Sequence, residues 1–188
     1  AKYLEVKIND INIKKSDIYS QVYDGTILNQ KYEDLEIKLI GEHQINNSML
    51  ALSVIKYLEN NKALKIDDKS IRKGLISAKW PGRIEKISEN PVFIIDGAHN
   101  EDGAISLAKA IDKNFKEKNL TLLIGILEDK DIDSVLDVLI PKFNKVITTT
   151  PDSPRAINSS KLKEKVVKYI DNVIDKNNPD IVYNLGRF

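Results

Sequence analysis

The chain has 188 residues, 41% of them hydrophobic and 30% charged, the balance of a soluble globular protein of one domain or two small ones. Lysine and arginine (29) nearly cancel aspartate and glutamate (28), so no long-range field marks nucleic acid or an anionic membrane as partner, and any phosphate binding must be local. With no cysteine, no apolar run near the ~20 residues that span a bilayer, and a charged start unlike a signal peptide, a disulfide framework and a catalytic thiol are excluded and the cytoplasm is the expected compartment.

In chain order, Leu4, Val6 and Ile8, then Leu35, Ile37 and Leu39, alternate with a period of two and predict antiparallel strands. YDGT (Tyr23 to Thr26) predicts a turn between them, since glycine reaches positive φ at no steric cost. Leu50, Ala51, Val54, Ile55 and Leu58 fall at spacings of three and four and predict a helix from Asn47 with one apolar stripe, Asn47 beginning that face. A second, short helix led by Asp67 or Asp68 carries Ile71 and Leu75 and must stop before Pro81. Trp80, beside the Pro-Gly turn, is expected to pack at a joint between two lobes, residues 1–79 and 80–188.

Beyond the joint the pattern becomes strand and helix in alternation. VFII (Val92 to Ile95) precedes a helix with Ala104, Leu107, Ala108, Ile111 and Phe115 on one face. LTLLIGI (Leu120 to Ile126) precedes one with Ile132, Val135, Leu136 and Leu139, and KVITT (Lys145 to Thr149) one with Leu162, Val166, Ile170 and Val173. Continuous apolar strands joined by helices predict a parallel sheet in a three-layer α/β domain. Ligands bind such sheets at the carboxyl ends of the strands, where Asp96 stands.

Three short stretches could carry chemistry. In DGAHN, Asp96, Gly97, His99 and Asn100 lie between strand and helix, where backbone N–H groups favour an anion. The Asp96 carboxylate suits ribose hydroxyls better than phosphate; equally, Asn100 can be a plain helix cap and Gly97 a plain turn residue. In WPGR, Arg83 can span a cleft and bind phosphate oxygens with two parallel donors, or be a solvated surface residue. In GEHQINN, His43, Gln44 and Asn47 present donors and acceptors suited to a purine edge, against helix capping by Asn46 or Asn47. His43 and His99 have no Asp/Glu ligand set nearby, so no metal site is expected wholly within the chain.

GEHQINN, WPGR and DGAHN, in that order, with GILEDKD (Gly125 to Asp131) and PRA (Pro154 to Ala156), resemble the folylpolyglutamate synthase/dihydrofolate synthase family, relatives of the Mur ligases. The resemblance implies residues 1–79 as the C-terminal part of a central ATP-binding domain and 80–188 as a Rossmann-like, glutamate-binding ligase domain. It implies an ATP-dependent amide ligase that joins L-glutamate to a folate or pteroate through an acyl phosphate. ATP and Mg2+ are the implied cofactors, neither nucleic acid nor membrane is called for, and the intact enzyme is expected to be a monomer. By the same resemblance Asn47 contacts adenine, His43 and Gln44 shape that pocket, Arg83 binds ATP phosphates, Asp96 holds ribose, and His99, with Asn100, faces the incoming glutamate as the catalytic group.

Two departures qualify it. The family's glycine-rich phosphate loop and magnesium-binding residues have no counterpart in these residues, and IVYNLGRF stands where a GSLY-like strand is usual. The chain therefore reads as the C-terminal half of such a synthase, catalytically inactive by itself, with only the second lobe able to fold alone. A Mur-type ligase with another acceptor, or a non-catalytic nucleotide-binding module, are the alternative readings.

Overall fold

The computed structural model describes residues 9–116 and 119–176; the expected strand through Leu4, Val6 and Ile8, and the IVYNLGRF terminus, lie outside them. The chain divides into two compact units, Ala1–Glu85 and Lys86–Phe188. Among the described residues no helix is long and apolar enough to cross a membrane.

In the first unit, β1 (Asn9–Ser16), β2 (Gln21–Ile27) and β3 (Gln30–Ile37) form an antiparallel meander in the order β1-β2-β3. The turn expected at YDGT is instead the middle of β2, and the chain reverses at Leu28 and Asn29, both at positive φ (48° and 65°). Two positive-φ residues match the right-handed twist of a hairpin, but Leu28 carries no sequence signal for it. Gly25 serves close approach: a Cβ there would lie 2.9 Å from Met49 Sδ, and the pairing slips between Tyr23 and Gly25. Helices α1 (Glu42–Asn60) and α2 (Asp68–Ser77) follow. The core joins Tyr23, Ile27, Leu35 and Ile37 to Ile45, Met49 and Leu52 of α1 and Ile71 of α2. As the sequence predicts, Asp67 caps α2, its carboxylate accepting from Ser70 N at 2.6 Å.

Helix α1 differs from expectation in start and face. It begins at Glu42, and it buries Gln44, Ile45, Ser48, Met49, Leu52 and Ser53, leaving Leu50 and Val54 52% and 48% exposed. Two serines disguise the buried stripe. Their hydroxyls are satisfied inside it: Ser48 Oγ donates to Ile45 O at 2.7 Å and Ser53 Oγ to Met49 O at 2.8 Å, which removes most of the cost of burying them.

In the second unit, β4 (Glu85–Glu89) and β5 (Val92–Ile95) form a two-stranded sheet, antiparallel because a two-residue connection cannot return a chain parallel to itself. Strands β6 (Thr121–Ile124), β7 (Lys145–Thr148) and β8 (Val173–Asp175) form a parallel sheet in that order. Helix α3 (Glu101–Asn114) precedes β6, α4 (Ile132–Leu139) joins β6 to β7, and α5 (Ser159–Val166) joins β7 to β8. The α/β reading holds, with two corrections. VFII pairs with β4 and is half-exposed rather than buried on both faces, and Val173 opens β8 rather than closing the α5 stripe, because α5 ends at Val166. The core of this unit contains Ala104 and Ala108 of α3, the four predicted apolar residues of α4, Val146 of β7, and Leu162 and Val166 of α5.

Candidate functional site

The residues singled out by the sequence fall into one group in each unit. In the first, the support begins at Gln21, a fully buried glutamine in β2. Its Nε2 donates to Leu39 O at 2.7 Å and to Gly41 O at 2.9 Å, pinning the segment that turns into α1. Gly41 holds φ 102°, and a Cβ there would meet the His43 ring at 2.6 Å, so glycine is required on both counts. Gly41 is also the helix N-cap, without a side-chain cap bond; the capping role open to Asn46 or Asn47 is therefore not taken.

From this start the three predicted residues form a chain of contacts. Gln44 Nε2 lies 3.1 Å from His43 Nε2; a carboxamide nitrogen can only donate, so His43 Nε2 is the acceptor. Gln44 Oε1 accepts from Asn47 Nδ2 at 3.2 Å. Gln44 is buried and Asn47 is exposed, so the buried amide orients the exposed one. Arg83 belongs to the same unit. Its neighbour Ile84, 6% exposed, has Cδ1 3.6 Å from where a Gly41 Cβ would stand, which places the WPGR turn beside the start of α1. The turn is tied by Gly82 N donating to Glu85 Oε2 at 2.9 Å. Arg83 is exposed and its guanidinium makes no hydrogen bond or ion pair among the described residues. Trp80, expected to be a packing residue, is 58% exposed.

In the second unit Asp96, His99 and Asn100 occupy the loop between β5 and α3. Asp96 Oδ1 accepts from Ala98 N at 2.8 Å, an Asx turn that folds the loop back. His99 Nδ1 donates to Gly97 O at 2.8 Å, since a carbonyl only accepts; in the neutral ring Nε2 then carries the lone pair. Asn100 caps α3, its Oδ1 accepting from Gly103 N at 2.9 Å, so the capping role considered for it is real and leaves its Nδ2 for other contacts.

The loops after β6 and β7 meet at the carboxyl edge of the parallel sheet. Leu127 and Ala156 form an antiparallel bridge, Glu128 N donates to Arg155 O at 2.7 Å, and Arg155 Nη1 reaches Asp129 Oδ2 at 3.3 Å. Gln21, Asp129 and Arg155 were not among the residues the sequence marked for a role. A glutamine inside a strand carries no signal of its two long-range carbonyl partners, and an ion pair between loops is invisible until the strands are ordered. Among the described residues no group of three or more His, Cys, Asp or Glu side chains is arranged to hold a metal.

Residues 82–182 match the family described as Mur ligase, glutamate ligase domain. The chain belongs to the Mur ligase family. This Mur ligase family member is 34% identical over 151 residues to the folylpolyglutamate synthase of Lacticaseibacillus casei, an overlap of 79% of this chain and 35% of that protein. It is similar in structure to the folylpolyglutamate synthase of Thermotoga maritima, with TM-score 0.81 and 31% identity over 93% of this chain and 40% of that one. It is similar also to Mycobacterium tuberculosis folylpolyglutamate synthase complexed with ADP, with TM-score 0.80 and 30% identity over 94% of this chain and 40% of that one. The chain thus spans about a third of the length of the curated relatives it matches.

Proposed function

We propose that the chain forms part of an ATP-dependent ligase that adds L-glutamate to a folate or dihydropteroate carboxylate. In that reaction the acceptor carboxylate attacks the γ-phosphate of ATP, releasing ADP and forming an acyl phosphate. The glutamate amine then attacks the acyl carbon and expels phosphate, leaving an amide. The single observation that carries the reading is the similarity to a synthase described in complex with ADP, at 30% identity over 94% of this chain.

The proposed roles follow the chemistry of each group. Asn47, its amide oriented by Gln44, offers a donor and an acceptor to the adenine edge, with His43 beside it. Arg83, unpartnered within the described residues, offers its two-pronged donor face to the triphosphate. Asp96 accepts hydrogen bonds from the ribose. His99, whose Nδ1 proton is fixed by Gly97 O, holds Nε2 available to the glutamate ammonium, which must lose a proton before it attacks; Asn100 Nδ2 is available to a glutamate carboxylate. Magnesium, implied by the resemblance, supplies charge neutralisation between the phosphates. The described residues do not fit as its ligand set, so no step is assigned to it.

The 188 residues contain no G-x-x-x-x-G-K-[ST] phosphate loop. That favours a second reading for the chain by itself, a nucleotide-binding unit without turnover. The test is a chimera in which this chain replaces the matching 35% of the L. casei protein. It should show glutamate-dependent phosphate release with a folate or dihydropteroate and not with muramyl precursors. A folded chimera that releases none with either acceptor counts against the ligase reading.

A further inference from the structure

We propose that Ile84 and Glu85 are positioning residues for Arg83: together they fix the WPGR turn so that the guanidinium leaves it unpaired and free to meet the phosphates of a nucleotide. The inference rests on the reading of Arg83 as a phosphate-binding group and adds the device that presents it.

The turn is strained where it carries the arginine. Gly82 stands at φ 70° and Ile84 at φ 45°, so the residues on both sides of Arg83 occupy the left-handed region. Glycine does this at little cost. Isoleucine does not, and among the described residues at positive φ Ile84 alone is β-branched. Such a geometry persists only where its surroundings over-determine it, and it gathers at functional sites.

Two contacts hold it. Ile84 is 6% exposed and its Cδ1 lies 3.6 Å from where a Gly41 Cβ would stand, so the side chain is seated against the start of α1. Glu85 Oε2 accepts from Gly82 N at 2.9 Å, closing the turn around Arg83 with a charge-assisted bond. Trp80, Pro81 and Arg83 are exposed, so the closure buries no apolar side chain of the turn except Ile84. What it fixes is the place from which Arg83 extends. These ties all lie within the first unit, Ala1–Glu85, which also carries Asn47.

The left-handed residue has a second consequence. Arg83 and Glu85 are two positions apart, and with an extended residue between them their side chains would leave the same face, within reach of an ion pair. The conformation of Ile84 breaks that alternation, and the Glu85 carboxylate is engaged by the Gly82 N–H instead. Arg83 accordingly makes no hydrogen bond or ion pair among the described residues. An arginine paired with its own neighbour would have to break that pair before it could bind phosphate, and here that cost is avoided.

The test uses the chimera with the L. casei protein and reads the Kd for ATP by calorimetry, a measurement that needs no turnover. Glu85→Ala should raise the Kd about 3- to 10-fold, the scale of re-ordering one long side chain on binding. Glu85→Gln should bind within about twofold of the parent, since its amide oxygen can still accept from Gly82 N. In an Arg83→Ala background, Glu85→Ala should add less than about twofold, because Glu85 acts through the arginine. Ile84→Gly, which relieves the strain and loosens the turn, should weaken ATP binding with the same dependence on Arg83. Full additivity of Glu85→Ala with Arg83→Ala, or failure of glutamine to rescue, overturns the positioning role and leaves the phosphate-binding reading of Arg83 standing. ATP binding that is unaffected by Arg83→Ala, or absent from the folded parent chimera, overturns both.

Discussion

Leu127 and Ala156 form an antiparallel bridge that joins the loop leaving β6 to the loop leaving β7, so two segments quoted for the family resemblance fold as one wall at the carboxyl edge of the sheet. The bridge requires the chain after β6 to pass very close to the chain after β7. Gly125 makes that passage possible: a Cβ there would lie 2.8 Å from Pro151 Cγ and Cδ and 3.1 Å from Thr149 O.

Gly125→Ala should therefore destabilise the second unit by about 1–3 kcal/mol, the usual cost of overpacking against stiff neighbours. Asp129→Asn, which removes the exposed ion pair to Arg155, should change stability by less than about 1 kcal/mol. Urea unfolding of the two variants checks the order. If Asp129→Asn costs more than Gly125→Ala, the wall is held by charge and not by close packing.

In the first unit, Gln21→Ala should cost about 1–3 kcal/mol, because it leaves Leu39 O and Gly41 O without their donor. The loss should be accompanied by weaker nucleotide binding in the chimera, since Gly41 opens the helix that carries His43, Gln44 and Asn47. A variant that is destabilised yet binds nucleotide as before would separate the latch from the site.

What could be read from the sequence depended on whether polar residues did apolar work. Helix α4 was legible because all four of its predicted stripe residues are aliphatic and buried. In α1 the buried stripe includes Gln44, Ser48 and Ser53, while Leu50 and Val54 face outward, so periodicity pointed to the wrong face. Glycine misled at Gly25, where it admits Met49 rather than making a turn, and the real turn at Leu28 and Asn29 has neither glycine nor proline. Of the candidate site, DGAHN and GEHQINN were visible as residue types between elements. The orientation of Asn47 by Gln44, and of the His99 ring by Gly97 O, needed coordinates.

Acid should weaken the fold in part through two capping carboxylates. Asp67 and Asp131 accept from Ser70 and Ser134 at the starts of α2 and α4, and hydrogen bonds to those serines hold both carboxyls below the ordinary aspartate value of 3.8. A depressed folded pKa gives a contribution that is fully present above 3.8 and is lost as pH falls through the lower folded value. Asp67→Asn with Asp131→Asn keeps a capping oxygen and removes the titration. The double variant should show a flatter stability profile below pH 4 than the parent, while an unchanged slope would assign the acid sensitivity to other carboxylates.

At α3, Asn100→Ala removes the oxygen that accepts from Gly103 N and should cost about 1 kcal/mol; Asn100→Asp, which can still cap, should be close to neutral. If Asn100 also receives a glutamate carboxylate, Asn100→Asp should raise the KM for glutamate in the chimera although the fold is unaffected. Equal KM values for the parent and Asn100→Asp would leave Asn100 as a cap alone.

The sharpest expectation concerns Arg83, because its proposed binding role can be tested apart from stability. It is exposed and makes no hydrogen bond or ion pair among the described residues, so neither Arg83→Ala nor Arg83→Lys should shift unfolding by more than about 0.5 kcal/mol. Its backbone is nevertheless held in place: Gly82 N is tied to Glu85 Oε2 and Ile84 is buried beside Gly41. Arg83 is thus an exposed arginine on a fixed turn next to the start of the helix that bears Asn47, and its proposed role is to bind an anion there. A charge-assisted bond to phosphate is worth about 1.5–3 kcal/mol, so Arg83→Ala in the chimera should weaken ATP use by roughly 10- to 100-fold. Arg83→Lys should recover only part, because lysine keeps the charge and loses the paired donor geometry. Initial rates against ATP concentration, beside urea unfolding of the same variants, decide the matter. Full recovery with lysine would mean a diffuse charge effect, and a loss of stability matching the loss of activity would make Arg83 structural after all.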